Sequence, residues 1–153
     1  MTTTPLSPLT NLLPTHSAPS KPRSGISESK RLRLYYLASA YSFDIKRGYW
    51  NAVAATGLLT RLGYLIYSPI ISFHEVAAQH SLPTDAGFWW RINEGMLEKV
   101  DGLIVLAEGP FEESTGVGAE RAWWRVHRER VMIPSPKEVL VTLNELEVAC
   151  ENL

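Results

Sequence analysis

The stretch DGLIVLAEGPFEESTGVGAE, residues 101–120, decides the fold of this chain. Its portion 103–106 is short, branched and wholly apolar, which is typical of a strand buried in a parallel sheet. A polar loop follows, and the segment from Ser114 to Glu120 predicts the beginning of a helix. A strand, a glycine-bearing turn and a helix N-terminus in succession form a common ligand site in α/β folds. We therefore expect a small-molecule site here.

Glu120 is the chemically distinctive residue of this stretch. Gly116 and Gly118 leave the backbone open to a ligand, and the dipole of the following helix favours an ionised carboxylate. An anionic glutamate held against a small ligand is a candidate nucleophile or base. The alternative is that Glu120 is a surface acid that only compensates the helix dipole.

The composition of the chain narrows the classes of partner and location. Its 153 residues are enough for one domain with a sizeable core. A net charge of -1 with mixed signs argues against a nucleic-acid polymer or a membrane surface as the partner. The single cysteine, Cys150, excludes an internal disulfide and a cysteine-rich zinc site. No apolar run approaches the roughly 20 residues of a membrane span and no signal-peptide core is present, so we expect a cytoplasmic protein.

The pattern of the chain predicts a tail followed by one domain. Residues 1–30 are rich in Ser, Thr and Pro without helical or strand periodicity, which predicts a disordered tail before a domain at 31–153. The predicted strands are 34–39, 64–67, 102–107 and 131–133. The predicted helices are 45–62, 72–80 from a capping box at its start, 85–100, 116–129 and 135–153 from a second capping box.

This alternation of strands and helices indicates the α/β class. We expect a single three-layer, Rossmann-like domain with a mainly parallel sheet of four to five strands flanked by helices. Ligands in such sheets bind beyond the carboxyl ends of the strands. The first and third strands would deliver residues 36–41 and 108–120 to that edge.

Short motifs along the chain resemble those of a known family. They are Tyr36-Leu-Ala-Ser-Ala-Tyr41, Ser68-Pro-Ile70, Leu82-Pro-Thr-Asp85 with Phe88-Trp89, Asp101, and Ser114-x-Gly-Val-x-x-Glu120. In this order they resemble the nucleoside 2-deoxyribosyltransferase superfamily, and within it a branch known only as a domain of unknown function and related to 2′-deoxynucleoside 5′-phosphate N-hydrolases. The resemblance covers residues 32–135.

The resemblance implies an activity and a role for several residues. Glu120 matches the glutamate that attacks the anomeric carbon of the sugar and forms a glycosyl ester, which another base or water then captures. Tyr36 matches the tyrosine that hydrogen-bonds this carboxylate. Ser114 matches a position that is Asp in transferases of free nucleosides and Ser in nucleotide hydrolases, so it favours a nucleoside monophosphate. No cofactor is needed, because the carboxylate itself carries the covalent chemistry.

Asn93 departs from the pattern of this family. The family has an Asp at this position, which binds the base or gives it a proton. An amide can hydrogen-bond a base edge but cannot act as a general acid. The substitution therefore predicts either a slow enzyme or a changed role for position 93.

Further substrate-binding candidates are Ser39, Asp85, Gly116 and Gly118. Each candidate also has a purely structural alternative: Ser114 and Asp85 are good helix caps, and Tyr36 is an ordinary strand aromatic. The resemblance implies a homo-oligomer with sites near subunit interfaces.

The function remains open between three classes. Within the enzyme class, the sequence does not separate hydrolysis from transfer. The second class is a nucleotide-binding sensor of the same fold that has lost catalysis through Asn93. The third is an interaction protein that uses its tryptophan-rich helices as an assembly surface.

Overall fold

The structure is a computed structural model that describes residues 32–130 and 138–153. The predicted tail at 1–30 and the predicted strand at 131–133 lie outside the described residues. The strands are β1 (Leu34–Ala38), β2 (Leu65–Tyr67), β3 (Gly102–Leu106) and β4 (Val139–Val141). The helices are α1 (Ile45–Arg61), α2 (Pro69–Gln79), α3 (Ala86–Leu97), α4 (Thr115–Arg130) and α5 (Leu143–Glu151), with a 3-10 turn at Phe111–Glu113.

The four strands form one parallel sheet in the order β2-β1-β3-β4. The prediction of an α/β, Rossmann-like fold with a parallel sheet and flanking helices is therefore confirmed. β1 and β3 are the central strands, with Tyr36 paired to Leu103 and Ala38 to Val105. Their carboxyl ends consequently lie side by side at one edge of the sheet.

The core lies on both faces of this sheet. On one face, Tyr36 and Leu103 pack with buried residues of α3 and α4, among them Leu97 and Val117. Because side chains alternate along a strand, the neighbouring residues of β1 and β3 point to the other face. On that side α1 and α5 pack together, and Cys150 donates a hydrogen bond to the Leu58 carbonyl.

Gly102 is required for the pairing of the two central strands. A Cβ atom at this position would lie 2.4 Å from the ring of Tyr35, the residue paired with it. No larger residue fits there without displacing that ring. The glycine therefore lets β3 begin directly beside β1.

The predicted start of α2 is wrong. The helix begins at Pro69, and the hydroxyl of Ser68 caps it by accepting a hydrogen bond from the Ile71 backbone. Ser72, predicted as the cap, instead donates its hydroxyl to the Ser68 carbonyl. A serine cap followed by proline at the first helical position is a strong helix start, and here it lies four residues before the predicted capping box.

The prediction of a helix from 135 is also wrong. Residues Val139–Val141 form β4, and α5 begins only at Leu143. Thr142 caps it in a capping box with Glu145. Apolar residues at 139 and 143 fit a helical period, but pairing with β3 stabilises a strand here. A local sequence pattern does not predict this pairing.

Candidate functional site

A cavity of about 520 Å³ opens at the carboxyl end of β1. It is bounded by the loop after β1 and by residues of α2, α3 and α4. Cavities of this volume accommodate small organic molecules. Six residues predicted from the sequence line it: Ser39, Asp85, Asn93, Ser114, Gly116 and Glu120.

Glu120 and Tyr36 form a buried pair in this region. The Tyr36 hydroxyl donates a hydrogen bond of 2.7 Å to Oε1 of Glu120, as the resemblance implied. Glu120 is only 5% exposed and Tyr36 is fully buried, yet the glutamate still borders the cavity. Tyr36 of β1 therefore orients the carboxyl group, and α4 places this group at the wall of the cavity.

Burial controls the protonation of Glu120. Removal from water raises the pKa of its carboxyl to about 8, and the hydrogen bond from Tyr36 only partly opposes this. The carboxyl is therefore mostly protonated at pH 7, and the prediction that the helix dipole keeps it ionised is wrong. The dipole contributes at most about 2 kcal/mol even in partly buried geometries, which is less than the cost of desolvating a buried carboxylate.

Two tyrosines surround this carboxyl group. Burial and the nearby Glu120 carboxylate raise the pKa of Tyr36 far above its usual range, so it acts only as a donor. Burial, followed by the charge of Glu120, raises the pKa of Tyr67 to about 12. The Tyr67 ring lies 5.6 Å from that of Tyr36.

Asn93 also reaches Glu120. Its Nδ2 donates a long hydrogen bond of 3.5 Å to the same oxygen, Oε1. Its other polar atom, Oδ1, is buried and has no partner among the described residues, and the same holds for Oγ of Ser39. Buried polar atoms normally have partners, because leaving one unsatisfied costs about 1–3 kcal/mol. Two such atoms lie on residues that border the cavity, where a bound ligand can supply their partners; the other unpartnered buried atoms of the described residues lie on Thr56, Tyr64, Tyr67 and Trp123, outside its lining.

Ser114 and Asp85 both act as helix caps. Oγ of Ser114 accepts a hydrogen bond from the Val117 backbone at 3.3 Å, and Oδ1 of Asp85 accepts one from the Phe88 backbone at 3.0 Å. Their structural alternatives are thus realised, although both residues also line the cavity. Contact with substrate stays a prediction for each of them.

The two glycines of the motif differ in position. Gly116 lines the cavity, and a Cβ there would meet only ordinary contacts, the nearest being Cβ of Ala86 at 3.5 Å. Gly118 is exposed and lies outside the cavity lining. The structure therefore does not bring Gly118 to the site with the other predicted binding residues.

His74, which was not predicted as a site residue, also lines the cavity. His74 shares a hydrogen bond of 2.9 Å between its Nδ1 and the Tyr41 hydroxyl, and its ring stacks on Tyr49 with centroids 4.0 Å apart. With Nδ1 engaged and one ring face covered, Nε2 has no hydrogen-bond partner among the described residues. No sequence signal marks this contact, since Tyr41 and His74 lie on separate elements 33 residues apart.

Gly48 positions the loop that carries Tyr41. A Cβ on Gly48 would lie 2.6 Å from the Ala40 carbonyl oxygen and 2.9 Å from Cα of Tyr41. The first turns of α1 can therefore lie directly against this loop only with glycine here. The close approach fixes Tyr41, and with it the ring of His74.

Phe73 and Trp89 provide an aromatic wall of the cavity. Their rings stack with centroids 5.0 Å apart and an interplanar angle of 29°. The indole nitrogen of Trp89 donates a hydrogen bond of 2.7 Å to the Pro83 carbonyl, which fixes the orientation of the ring. A planar heterocycle can stack against such a surface.

Within residues 32–130 and 138–153, no three His, Cys, Asp or Glu side chains lie close enough together to hold a metal ion. In the same part of the chain, no lysine or arginine borders the cavity, and no helix is both long and apolar enough to cross a bilayer. Comparison with models of protein families finds no match, and comparison with curated proteins finds none.

Proposed function

We propose that the protein cleaves or transfers the N-glycosidic bond of a nucleoside or nucleoside 5′-monophosphate through a covalent glycosyl–Glu120 intermediate. The observation that carries this proposal is the buried pair of Glu120 and Tyr36 bordering the cavity. The aromatic wall of Phe73 and Trp89 supports it, because it offers a stacking surface for a base.

The hydrogen bonds of Glu120 suggest which oxygen reacts. Tyr36 and Asn93 both donate to Oε1, and Oε2 accepts no hydrogen bond from the described residues. Oε2 attacks the anomeric carbon C1′, the C1′–N bond breaks, and its electron pair leaves with the base. The resulting ester then reacts with water or with a second base at C1′, which releases the carboxylate. Two such displacements replace one difficult step with two easier ones.

Glu120 must be ionised to act as this nucleophile. Because burial raises the pKa of its carboxyl to about 8, the reactive form is a minority at pH 7 and grows as the pH rises. The rate of the attack step is therefore expected to increase with pH up to about 8.

The departing base needs a proton that Asn93 is unable to supply. Among the residues bordering the cavity, His74 carries an imidazole whose Nε2 is available, with Tyr41 holding the opposite nitrogen. In its imidazolium form, with Nδ1–H donating to the Tyr41 oxygen, His74 would transfer the Nε2 proton to the base nitrogen as the C1′–N bond breaks and would become a neutral imidazole. Imidazole is the side chain best suited to acid catalysis near neutral pH.

The described lining does not separate a phosphorylated substrate from a free nucleoside. Ser114 adds no negative charge, which leaves room for a 5′-phosphate, but the described lining also lacks a cation that would bind one. Both forms therefore belong in the first assay. Self-association, implied by the family resemblance, would be measured beside it by sedimentation.

The second candidate is a nucleotide-binding sensor. It is favoured by one observation: Asn93 borders the cavity beside Glu120, and its amide can bind a base edge but is unable to protonate a departing base. A sensor would show ligand-induced stabilisation without release of base.

The test uses nucleosides and their 5′-monophosphates, each with ribose and with 2′-deoxyribose. Released base is measured by chromatography, with and without an added acceptor base, at pH 7 and 8.5. Glu120→Gln, which keeps the shape of the side chain, should abolish release. The matched control is Glu113→Gln, an exposed acid of the 3-10 turn, which should leave release unchanged.

The outcomes separate the candidates. Release that depends on Glu120 supports the enzyme, and its dependence on the acceptor separates transferase from hydrolase. No release from any substrate, together with a rise in melting temperature with one nucleotide, would replace the enzyme with the sensor. Release that persists in Glu120→Gln would refute the assigned nucleophile.

A further inference from the structure

The side-chain oxygen of Asn93 is a buried acceptor without a partner, and its position bears on which sugar the site binds. Asn93 is 9% exposed, and its Oδ1 has no hydrogen-bond partner among the described residues although the atom is buried. The amide is oriented by its own Nδ2, which donates to Oε1 of Glu120. Oδ1 is therefore a buried acceptor on the same amide group whose Nδ2 contacts Glu120, and it has no donor among the described residues.

The position of this acceptor limits what can satisfy it. In the proposed reaction, C1′ of the substrate must lie against Oε2 of Glu120. The groups nearest to Oδ1 are then the substituents of C1′ and C2′. An acceptor beside the nucleophile is satisfied only by a group there that carries a hydrogen on nitrogen or oxygen.

Few atoms of a nucleoside near C1′ meet this requirement. The ring oxygen O4′ and the glycosidic nitrogen carry no hydrogen, and the 3′ and 5′ hydroxyls are attached to more distant carbons. The base atoms next to the glycosidic nitrogen carry no N–H group either, because the N–H donors of a base lie on edges farther from C1′. The 2′-hydroxyl of a riboside is a donor one bond from C2′, whereas a 2′-deoxyriboside has only hydrogens on that carbon. With a 2′-deoxyriboside, Oδ1 would stay buried and unpaired.

We propose that Oδ1 of Asn93 accepts a hydrogen bond from the substrate 2′-hydroxyl, and that the site consequently prefers ribosides over 2′-deoxyribosides. This inference rests on the proposed function, because the placement of C1′ comes from Glu120 as nucleophile. It departs from what the family resemblance implies about the sugar. It also gives position 93 a role that its amide can perform, since accepting a hydrogen bond requires no acidic proton.

The test is a cycle that combines two deletions, of the 2′-hydroxyl from the substrate and of the amide from the protein. We would measure kcat/KM for matched ribo and 2′-deoxyribo substrates with the wild-type protein and with Asn93→Ala. The loss of the contact between Nδ2 and Glu120 slows both substrates equally. The inductive effect of the 2′-hydroxyl slows the riboside equally in the wild type and the variant, so both effects cancel in the ratio of ratios. Asn93→Leu, closer in size to asparagine, repeats the cycle in case the alanine variant does not fold.

The expected result is a ratio of ratios of about 10-fold to 100-fold in favour of the riboside, as expected for a buried acceptor left unpaired. A ratio near one would overturn the inference. Loss of discrimination in Ser39→Ala but not in Asn93→Ala would also overturn it, because the sugar would then be recognised by the other unpartnered oxygen.

A binding measurement distinguishes this failure from failure of the proposed function. Calorimetry with Glu120→Gln compares the dissociation constants of a riboside and its 2′-deoxy analogue without turnover. Tighter riboside binding that disappears when Asn93→Ala is added supports the sugar contact, even if the wild-type protein releases no base. Equal binding of both sugars refutes the contact, even if the wild-type protein is an active enzyme.

Discussion

Replacing Glu120 with Gln should make the protein more stable, and the gain should grow with pH. In the folded protein, burial raises the pKa of Glu120 from its ordinary value of 4.5 to about 8. Between these two values the folded state keeps a proton that the unfolded state has lost. The stability of the wild-type protein therefore falls as the pH rises from about 4.5 to about 8, and the loss is complete above that.

The size of the effect follows from the same two values. A displacement of the pKa from 4.5 to about 8 corresponds to about 5 kcal/mol of unfolding free energy. At pH 7 Glu120 is ionised in most of the unfolded chains but in few of the folded ones. The free energy of unfolding is therefore already lower by about 3 kcal/mol at this pH than at low pH. Glutamine never ionises, and its amide oxygen can still accept the hydrogen bond from Tyr36.

The assay is urea unfolding followed by tryptophan fluorescence at pH 5, 7 and 9. The free energy of unfolding of Glu120→Gln minus that of the wild type should be small at pH 5 and reach up to about 5 kcal/mol at pH 9. Glu113→Gln is the control, because that side chain is exposed and its variant should follow the wild type at every pH. Since all other titrating groups are shared, they cancel in the difference.

One result would refute the reasoning. If the difference between Glu120→Gln and the wild type stays constant from pH 5 to pH 9, the pKa of Glu120 is not raised in the folded state. The hydrogen bond from Tyr36 would then offset the effect of burial, and the proposed rise in the rate of the attack step with pH up to about 8 would lose its basis.

Two further predictions concern the residues around the cavity. His74→Gln should slow release of an ordinary base by about 10²–10⁴-fold but leave a 4-nitrophenyl glycoside almost unaffected, because that leaving group needs no proton; equal slowing of both would refute His74 as the acid. Gly48→Ala should destabilise the protein by about 1–3 kcal/mol in urea unfolding, because the added methyl meets the Ala40 carbonyl. In the same helix Gly57→Ala has open space around its Cβ and should stabilise by about 0.5–1 kcal/mol; a Gly48→Ala variant as stable as Gly57→Ala would contradict the close approach.

The sequence predicted the elements whose signals are local. The apolar run at 103–106 became the buried strand β3, and the spacing of apolar residues after Ile45 became α1. The prediction failed at the start of α2, where both Ser68 and Ser72 have the local pattern of a helix cap. It also failed at β4, where pairing with β3, a strand distant in the sequence, determines the structure. Hydrophobic periodicity depends only on a residue and its near neighbours in the sequence, so it does not show which strand a segment pairs with.

The same division holds for the candidate site. The sequence by itself pointed to Glu120, because it follows a strand and a glycine-bearing turn. It pointed to Tyr36 only through the motifs that resemble the deoxyribosyltransferase superfamily. Only the tertiary structure brought His74 to Tyr41 and left the amide oxygen of Asn93 without a partner. It also determined the protonation of Glu120, since a pKa depends on the water that the surrounding elements exclude, and the residues along the chain do not specify that exclusion.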